Sequence, residues 1–468
     1  MTAAPRTSSQ RAARLGAGIA VAAVVAVAVP AAAFVPWPAI VRDPVAVTAL
    51  PEPTASLVSC AGPVLAVGRD ATDAALLTDA TGQDVAAATA PGQPDAEAAR
   101  LAAPGVSGGA GPDALSAQPE GGVRTDLAAA GSATVADEDL AGFVASACAP
   151  ALMESWLVAG SGTTGAADVV LLSNPSGVAS EVDITVYGSE GPVQPAAAAG
   201  IIVPPRTQRV LPLAALALGQ ENPVVRINAS GAPIQASLQA SLTRTLLTGG
   251  VDQVGTTAPP AERQVIPSVS VVVEPGEEGA SEPGTVMRIL APSDDTEAVV
   301  DLQPLTGGSA SSTTLELPAG VPVELDLGAL DPGTYRVEVT ADEPVVASLW
   351  ATTGFGAGSD FAWHTAPSVV DVPSLVAVAV GPSPVLTLSN EGDDEARVEV
   401  SGPSGDTQVL VPPGSSVRTP VQDAAVYQLT PEGGVLRANV TYRGPDALAG
   451  YDVIPADAAA EPVVVYPQ

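Results

Sequence analysis

Asp168-Val169-Val170-Leu171-Leu172-Ser173-Asn174, a polar turn, then Val182-Asp183-Ile184-Thr185-Val186-Tyr187-Gly188 is the stretch that decides the fold. It has two echoes. Thr285 to Ala291 is followed by Ala298-Val299-Val300-Asp301-Leu302, and Val385-Leu386-Thr387-Leu388-Ser389-Asn390 by Ala396-Arg397-Val398-Glu399-Val400. Each passage is a strand, a polar turn and a second strand, which predicts a hairpin. Apolar and polar residues alternate, as in Tyr335, Val337 and Val339 between Arg336, Glu338 and Thr340. Alternate side chains leave a strand on opposite faces, so one face is buried and the other wet.

Working outward, each copy is preceded by an apolar strand: Trp156-Leu157-Val158, Val269 to Val273, and Leu375 to Val380. A Pro-bearing turn follows each, at Pro204-Pro205-Arg206, Pro318-Ala319-Gly320 and Pro412-Pro413-Gly414. Many short strands with frequent turn signals predict an all-β chain of tandem immunoglobulin-like β-sandwich modules. The expected modules are 150–258, 259–366 and 367–468. The only helix-like stretch within them is Leu213 to Leu218.

The N-terminus predicts export. Leu15 to Val35 carries no charge and follows Arg6, Arg11 and Arg14. Positive charge before an apolar run keeps 1–14 in the cytoplasm and sends the remainder across the membrane. The run, 15–35, fits a signal anchor or a cleaved signal peptide ending at Ala31-Ala32-Ala33. Its length favours the anchor. The expected location is the cell membrane, single-pass with the bulk outside, or secreted if the segment is cleaved. Pro36-Trp37-Pro38 and Pro51-Glu52-Pro53 mark a stalk over 36–56. The next segment, 57–149, contains one short apolar strand at Pro63 to Val67. From Arg69 to Ala136 it is rich in Ala, Gly, Asp, Pro and Thr. Without apolar periodicity, that stretch is expected to be a low-order insertion. The chain's two cysteines, Cys60 and Cys148, are expected to pair in an oxidising compartment and link this segment to module one.

The segment from Cys148 through Trp156-Leu157-Val158-Ala159-Gly160, Leu171-Leu172-Ser173-Asn174-Pro175 and Val186-Tyr187-Gly188 resembles an actinobacterial family of exported, N-terminally anchored proteins catalogued as a domain of unknown function. Cys60-Ala61-Gly62-Pro63 and Pro204-Pro205 fit it as well; Ala159-Gly160 stands where paired glycines are expected. The resemblance implies location and architecture, and it supplies no catalytic residues.

Composition excludes several function classes. With a net charge of −33 and no Lys among 18 basic residues, the chain repels phosphate backbones, so nucleic acid is not an expected partner. A nucleophilic triad needs a histidine, and the single one, His364, has no Gly-x-Ser-x-Gly elbow to serve. Zinc needs three or four N/S ligands, which one His and two paired Cys do not supply. Acidic turns at Asp137-Glu138-Asp139, Asp294-Asp295 and Asp393-Asp394-Glu395 read as turn formers before calcium ligands. No enzyme activity and no cofactor are expected.

One recognition feature stands out. Trp350, Phe355, Phe361 and Trp363 cluster around Gly354-Phe355-Gly356-Ala357-Gly358 in a chain that is only 3% aromatic. Exposed, they would contact a ligand such as a sugar; buried, they would fill a core or seal a junction. The sequence thus predicts a non-catalytic cell-envelope protein presenting sandwiches to an envelope protein or glycan. The alternative is a carbohydrate-binding accessory of envelope polysaccharide assembly that uses the Trp350–Trp363 loop.

Overall fold

A computed structural model describes residues 8–34, 47–49, 52–69, 73, 76–244, 247–273, 284–328, 330–456 and 463–465. Of the expected stalk, residues 36–46, 50 and 51, Trp37 among them, lie outside the described residues. Residues 52–459 form one compact unit; 1–51 with 460–468 form another. In the second of these, an α-helix runs from Ser8 to Phe34, and the strand Val47–Ala49 pairs with Val463–Val465.

The large unit is built from β-sheets. The same four-strand order recurs in each of the three sequence copies. It runs Thr207–Pro212, Val169–Asn174, Gln235–Arg244, Leu247–Val254 in the first, and Ser415–Pro420, Val385–Asn390, Leu436–Gly444, Ala447–Asp452 in the third. In the second it runs Val323–Asp326, Thr285–Leu290, the C-terminal half of Gly333–Thr352, and Phe361–Thr365. Opposite each lies a second sheet, and the alternating apolar residues of both meet in one core. Val170 and Leu172 face Val182, Ile184 and Val186 in the first copy; Leu386 and Leu388 face Val398 and Val400 in the third.

This arrangement corrects the expected hairpins. Val169–Asn174 and Ser180–Gly188 do not pair with each other; they lie in opposite sheets. The turn between them crosses the sandwich. Asn174 holds that crossing: its Nδ2 donates to the carbonyls of Val178 (2.7 Å) and Val203 (3.0 Å). Asn390 does the same to Asp394 (2.7 Å) and Val411 (3.0 Å). A hairpin and a crossing give the same alternation along the chain, so only tertiary pairing separates them.

The expected low-order insertion is also corrected. Within 57–149 the structure contains the sheet Asp84–Thr89, Leu127–Ala136, Ala141–Ala147, as well as the strands Ser56–Ser59, Ala110–Ala117 and Glu97–Ala102. The last of these meets Thr207–Pro212 in parallel and joins this segment to the first copy's sheet. The sequence conceals these strands because their buried side chains are small. Ala is a poor strand former and carries little hydrophobic signal. Small residues are required here: a Cβ on Gly111 would lie 2.9 Å from the backbone oxygen of Leu101.

Each copy's outer sheet face is covered by what precedes it. Over the first copy, Gln239 treats the chain at Leu65 as a neighbouring strand. Leu65 N donates to its Oε1 (2.7 Å), and its Nε2 donates to Leu65 O (2.6 Å). Gln208 and Gln253 hold the carbonyls of Ala61 and Gly62, each at 3.0 Å. Over the second copy lies the Trp156-Leu157-Val158 strand, where Trp156 and Val158 pack on Leu290 and Val346. Over the third lies Ala261–Val271, whose Ser268 hydroxyl sits 2.9 Å from Thr387 Oγ1 and 3.0 Å from Asn439 Oδ1. The third copy's own first strand, Ser374–Val378, packs on Leu127–Ala136. Ala130, Phe143 and Ala145 join the third copy's core, so the chain of contacts closes into a cycle.

A disulfide joins Cys60 to Cys148, both buried, and ties the eight-stranded sheet to the three-stranded one. On the chain-entropy model, a crosslink over this separation stabilises by roughly 4–5 kcal/mol. The Cys60→Ser/Cys148→Ser double variant should therefore lose about 2–5 kcal/mol in denaturant unfolding; a loss below about 1 kcal/mol would contradict this account. Asn390→Ala should cost roughly 1–3 kcal/mol by orphaning two carbonyls at the crossing, measured in the same way.

Candidate functional site

The cycle has a centre. Ala141–Ala147 packs against Leu247–Val254 and Ala447–Asp452, and Phe361–Thr365 packs against the same two strands. Strand register places Phe143, Val251, Phe361 and Leu448 at corresponding positions, opposite Thr134, Ser241, Thr352 and Arg443 respectively. The residue before each of them faces the centre. Three of these are Gly142, Gly250 and Ala447; the fourth is Asp360.

The Asp360 carboxylate gathers the converging backbone N–H groups. Phe143 N donates to Oδ2 at 3.0 Å, Leu448 N to Oδ2 at 3.2 Å and Val251 N to Oδ1 at 3.3 Å. Phe361 N donates to it as well. An ionised carboxylate only accepts, which suits a ring of donors. Glycine is required around it: a Cβ on Gly142 or on Gly250 would lie 2.7 Å from Asp360 Oδ1. Burial pushes the Asp360 carboxyl up to about 7, against the pull of the four N–H groups.

Other buried charges sit at the junctions between copies. Asp252 accepts from Trp363 N (2.7 Å) and Gln253 N (2.8 Å), and burial pushes it well above the usual carboxylate range. Asp168 accepts from Ser161 N and Ser241 N, both at 2.7 Å, and is pushed by burial to about 7. Asp452 accepts from Thr365 Oγ1 (2.6 Å) and is raised by burial to about 8. Arg288 is buried; it donates to Gly160 O (2.8 Å) and Pro223 O (2.9 Å), pairs with Glu324 (2.8 Å) and stacks 4.6 Å from the Trp363 ring centre. His364 is buried, its Nε2 meets no partner, and burial lowers it to about 4, so it stays neutral.

Of the two readings of the aromatic cluster, burial favours the core and junction one for Phe361 and Trp363. Phe361 and Trp363 are 2% and 7% exposed and belong to the first copy's core, with Trp350 half-buried against it. Trp350 and Phe361 ring centres lie 6.0 Å apart. Phe361 and Trp363 are thereby enclosed at the junction of the first and second copies, and part of the Trp350 ring stays accessible. Phe355 alone lies on the Gly-rich loop, half-buried. Sequence reasoning missed Asp360, Gly142 and Gly250. Locally they resemble turn residues, and only their convergence from distant strands reveals the role. In the acidic turns, Asp295 Oδ1 accepts from Ala319 N at 2.7 Å. Among the described residues no three His, Cys, Asp or Glu side chains gather to hold a metal.

The pH dependence follows from these groups. Asp360, Asp168 and Asp452 have folded values above the ordinary 3.8. Their contribution to stability is complete below about 4 and is lost as pH rises through 7 to 8. His364, lowered from 6.5 to about 4, contributes above 6.5 and loses that contribution as pH falls through 4. The three carboxyls outweigh the one imidazole, so the unfolding midpoint should fall as pH rises from about 4 to about 8. Asp360→Asn should lower stability by about 2 kcal/mol or more near pH 5, having replaced one acceptor oxygen with a donor. It should also flatten the decline by about one proton's worth. An unchanged slope in that variant would show that Asp360 does not titrate there.

The profile of the Family of unknown function (DUF5719) matches residues 103–421. Among solved structures, the FN1-FN3 domains of chicken CNTN1 align at 11% identity and a TM-score of 0.11, covering 61% of this chain and 97% of that one. No curated protein matches. Because this match covers more than half of the chain, the chain belongs to this family of unknown function.

Proposed function

We propose that this chain is a non-catalytic cell-envelope protein whose closed set of sheets is a rigid platform outside the membrane, held there by its N-terminal helix. The observation that carries this reading is where the buried ionisable groups are spent. Asp168, Asp252, Asp360 and Arg288 are committed to backbone groups at junctions. A catalytic acid or base instead needs an open partner at a substrate's reach. The platform would present its surface to an envelope protein or a glycan. The disulfide points to an oxidising, extracellular compartment.

The anchor rests on the helix Ser8–Phe34. Its 27 residues would extend roughly 40 Å at 1.5 Å per residue. Leu15, Ile19, Val21, Val24, Val25 and Val27 are 53–71% exposed along it. Its side chains are described for 12–27 only, and among the described residues no helix is long and apolar enough to cross a membrane.

Sugar binding through the aromatic loop is the weaker reading, since it retains only Phe355 and part of Trp350 as accessible rings. Topology in intact cells tests the main proposal. A C-terminal tag on the full chain should be removed by external protease, while the N-terminal peptide stays in the membrane fraction. A protected tag, or a chain found wholly in the cytosol, would end it. Glycan-array binding that disappears in Phe355→Ala would instead favour the sugar-binding alternative.

A further inference from the structure

The three copies can be compared at one place on their outer faces. Leu171, Arg288 and Thr387 correspond, and their cross-strand partners are Val210, Glu324 and Arg418. In the first copy Val210 packs into the apolar cover formed with Ala103 and Val106. In the second, Glu324 forms the ion pair with Arg288. In the third, Arg418 faces an open groove of about 460 Å³, lined also by Ser270, Ser383, Val385, Thr441 and Arg443.

A second position repeats the contrast. Ser241 Oγ donates to Ala167 O at 3.2 Å, and Thr352 Oγ1 to Asp360 O at 2.8 Å. The corresponding residue in the third copy is Arg443. Among the described residues no ion pair or side-chain hydrogen bond involves Arg418 or Arg443, and Arg418 Nε is buried without a partner. Arg418 and Arg443 line the same groove; burial first, and then the positive charge of Arg443, lowers Arg418. The covering strand explains the opening. Ser268 closes the face against Thr387 and Asn439; two residues on, Ser270 lies at the groove.

Two adjacent cations without a carboxylate, in a chain of 51 acidic residues, are an unfavourable arrangement that a bound anion would relieve. Guanidinium groups match the paired oxygens of phosphate and carboxylate, and nearby hydroxyls add neutral donors. We infer that this groove is an oxyanion site, taking a phosphate or carboxylate group between Arg418 and Arg443 with the hydroxyls of Ser270, Ser383 and Thr441 around it. The site goes beyond the platform reading and does not depend on where the protein resides.

Calorimetric titration of the full chain with inorganic phosphate, and separately with acetate, at fixed pH and ionic strength tests it. Saturable binding of at least one ion is expected. It should weaken about tenfold or more in Arg443→Ala, whose side chain is exposed, and in Arg418→Gln. It should persist in Arg397→Ala, an exposed arginine on the opposite sheet of the same copy. Binding of phosphate alone assigns a phosphoryl group, binding of acetate alone a carboxylate, and binding of both any small oxyanion. No saturable binding of either ion, or equal binding by Arg443→Ala, overturns the inference.

Discussion

Four strands can converge on one point only if something accepts the backbone N–H groups they direct inward. Here Asp360 accepts them. Its carboxylate receives Phe143, Val251 and Leu448 from three other strands, and the small residues Gly142 and Gly250 make room for it. A buried donor left unpaired costs about 1–3 kcal/mol, so this one side chain satisfies groups that would otherwise oppose closure. One chain-distant segment thereby joins the others, and residues 52–459 behave as one compact unit.

The junctions around this centre share a physical logic. Where two sheets meet through polar faces, a side-chain amide or carboxylate takes the place of a missing strand. Gln239 pairs with the backbone of Leu65 as a neighbouring strand would. Asp168 and Asp252 each receive two backbone N–H groups. Such contacts fix register as well as proximity, which apolar packing alone does poorly. Where the faces are apolar, Trp156, Trp363 and Leu290 fill the space instead. Trp156, Tyr187, Phe361 and Trp363 lie at these seams, whereas Tyr335 and Tyr427 fill the cores of single copies.

Much of the strand content was legible from alternation. Val170 and Leu172, Val182 and Ile184, and Leu386 and Leu388 could be assigned to buried faces from their spacing, and all lie in cores. The turn asparagines were visible as turn residues, yet their task of bridging two sheets was not. The Ala-rich strands of 84–147 were invisible because close approach of backbones selects small side chains, and small side chains leave no hydrophobic period. The aromatic loop was legible as a cluster but not as buried. Sequence records that Phe361 and Trp363 are near each other, but not that the first copy's core lies behind them.

The sequence by itself determined the repeated strands, their inward faces and the pair of cysteines. These depend on local spacing and on residue type, which the chain carries in linear order. The tertiary structure alone decided that the copies close on one another, that Asp360 stands where the other strands carry small residues, and that Arg418 remains open while Val210 and Glu324 are covered or paired. Those facts depend on which distant strands become neighbours, and the free energy that selects them resides in contacts between residues hundreds of positions apart.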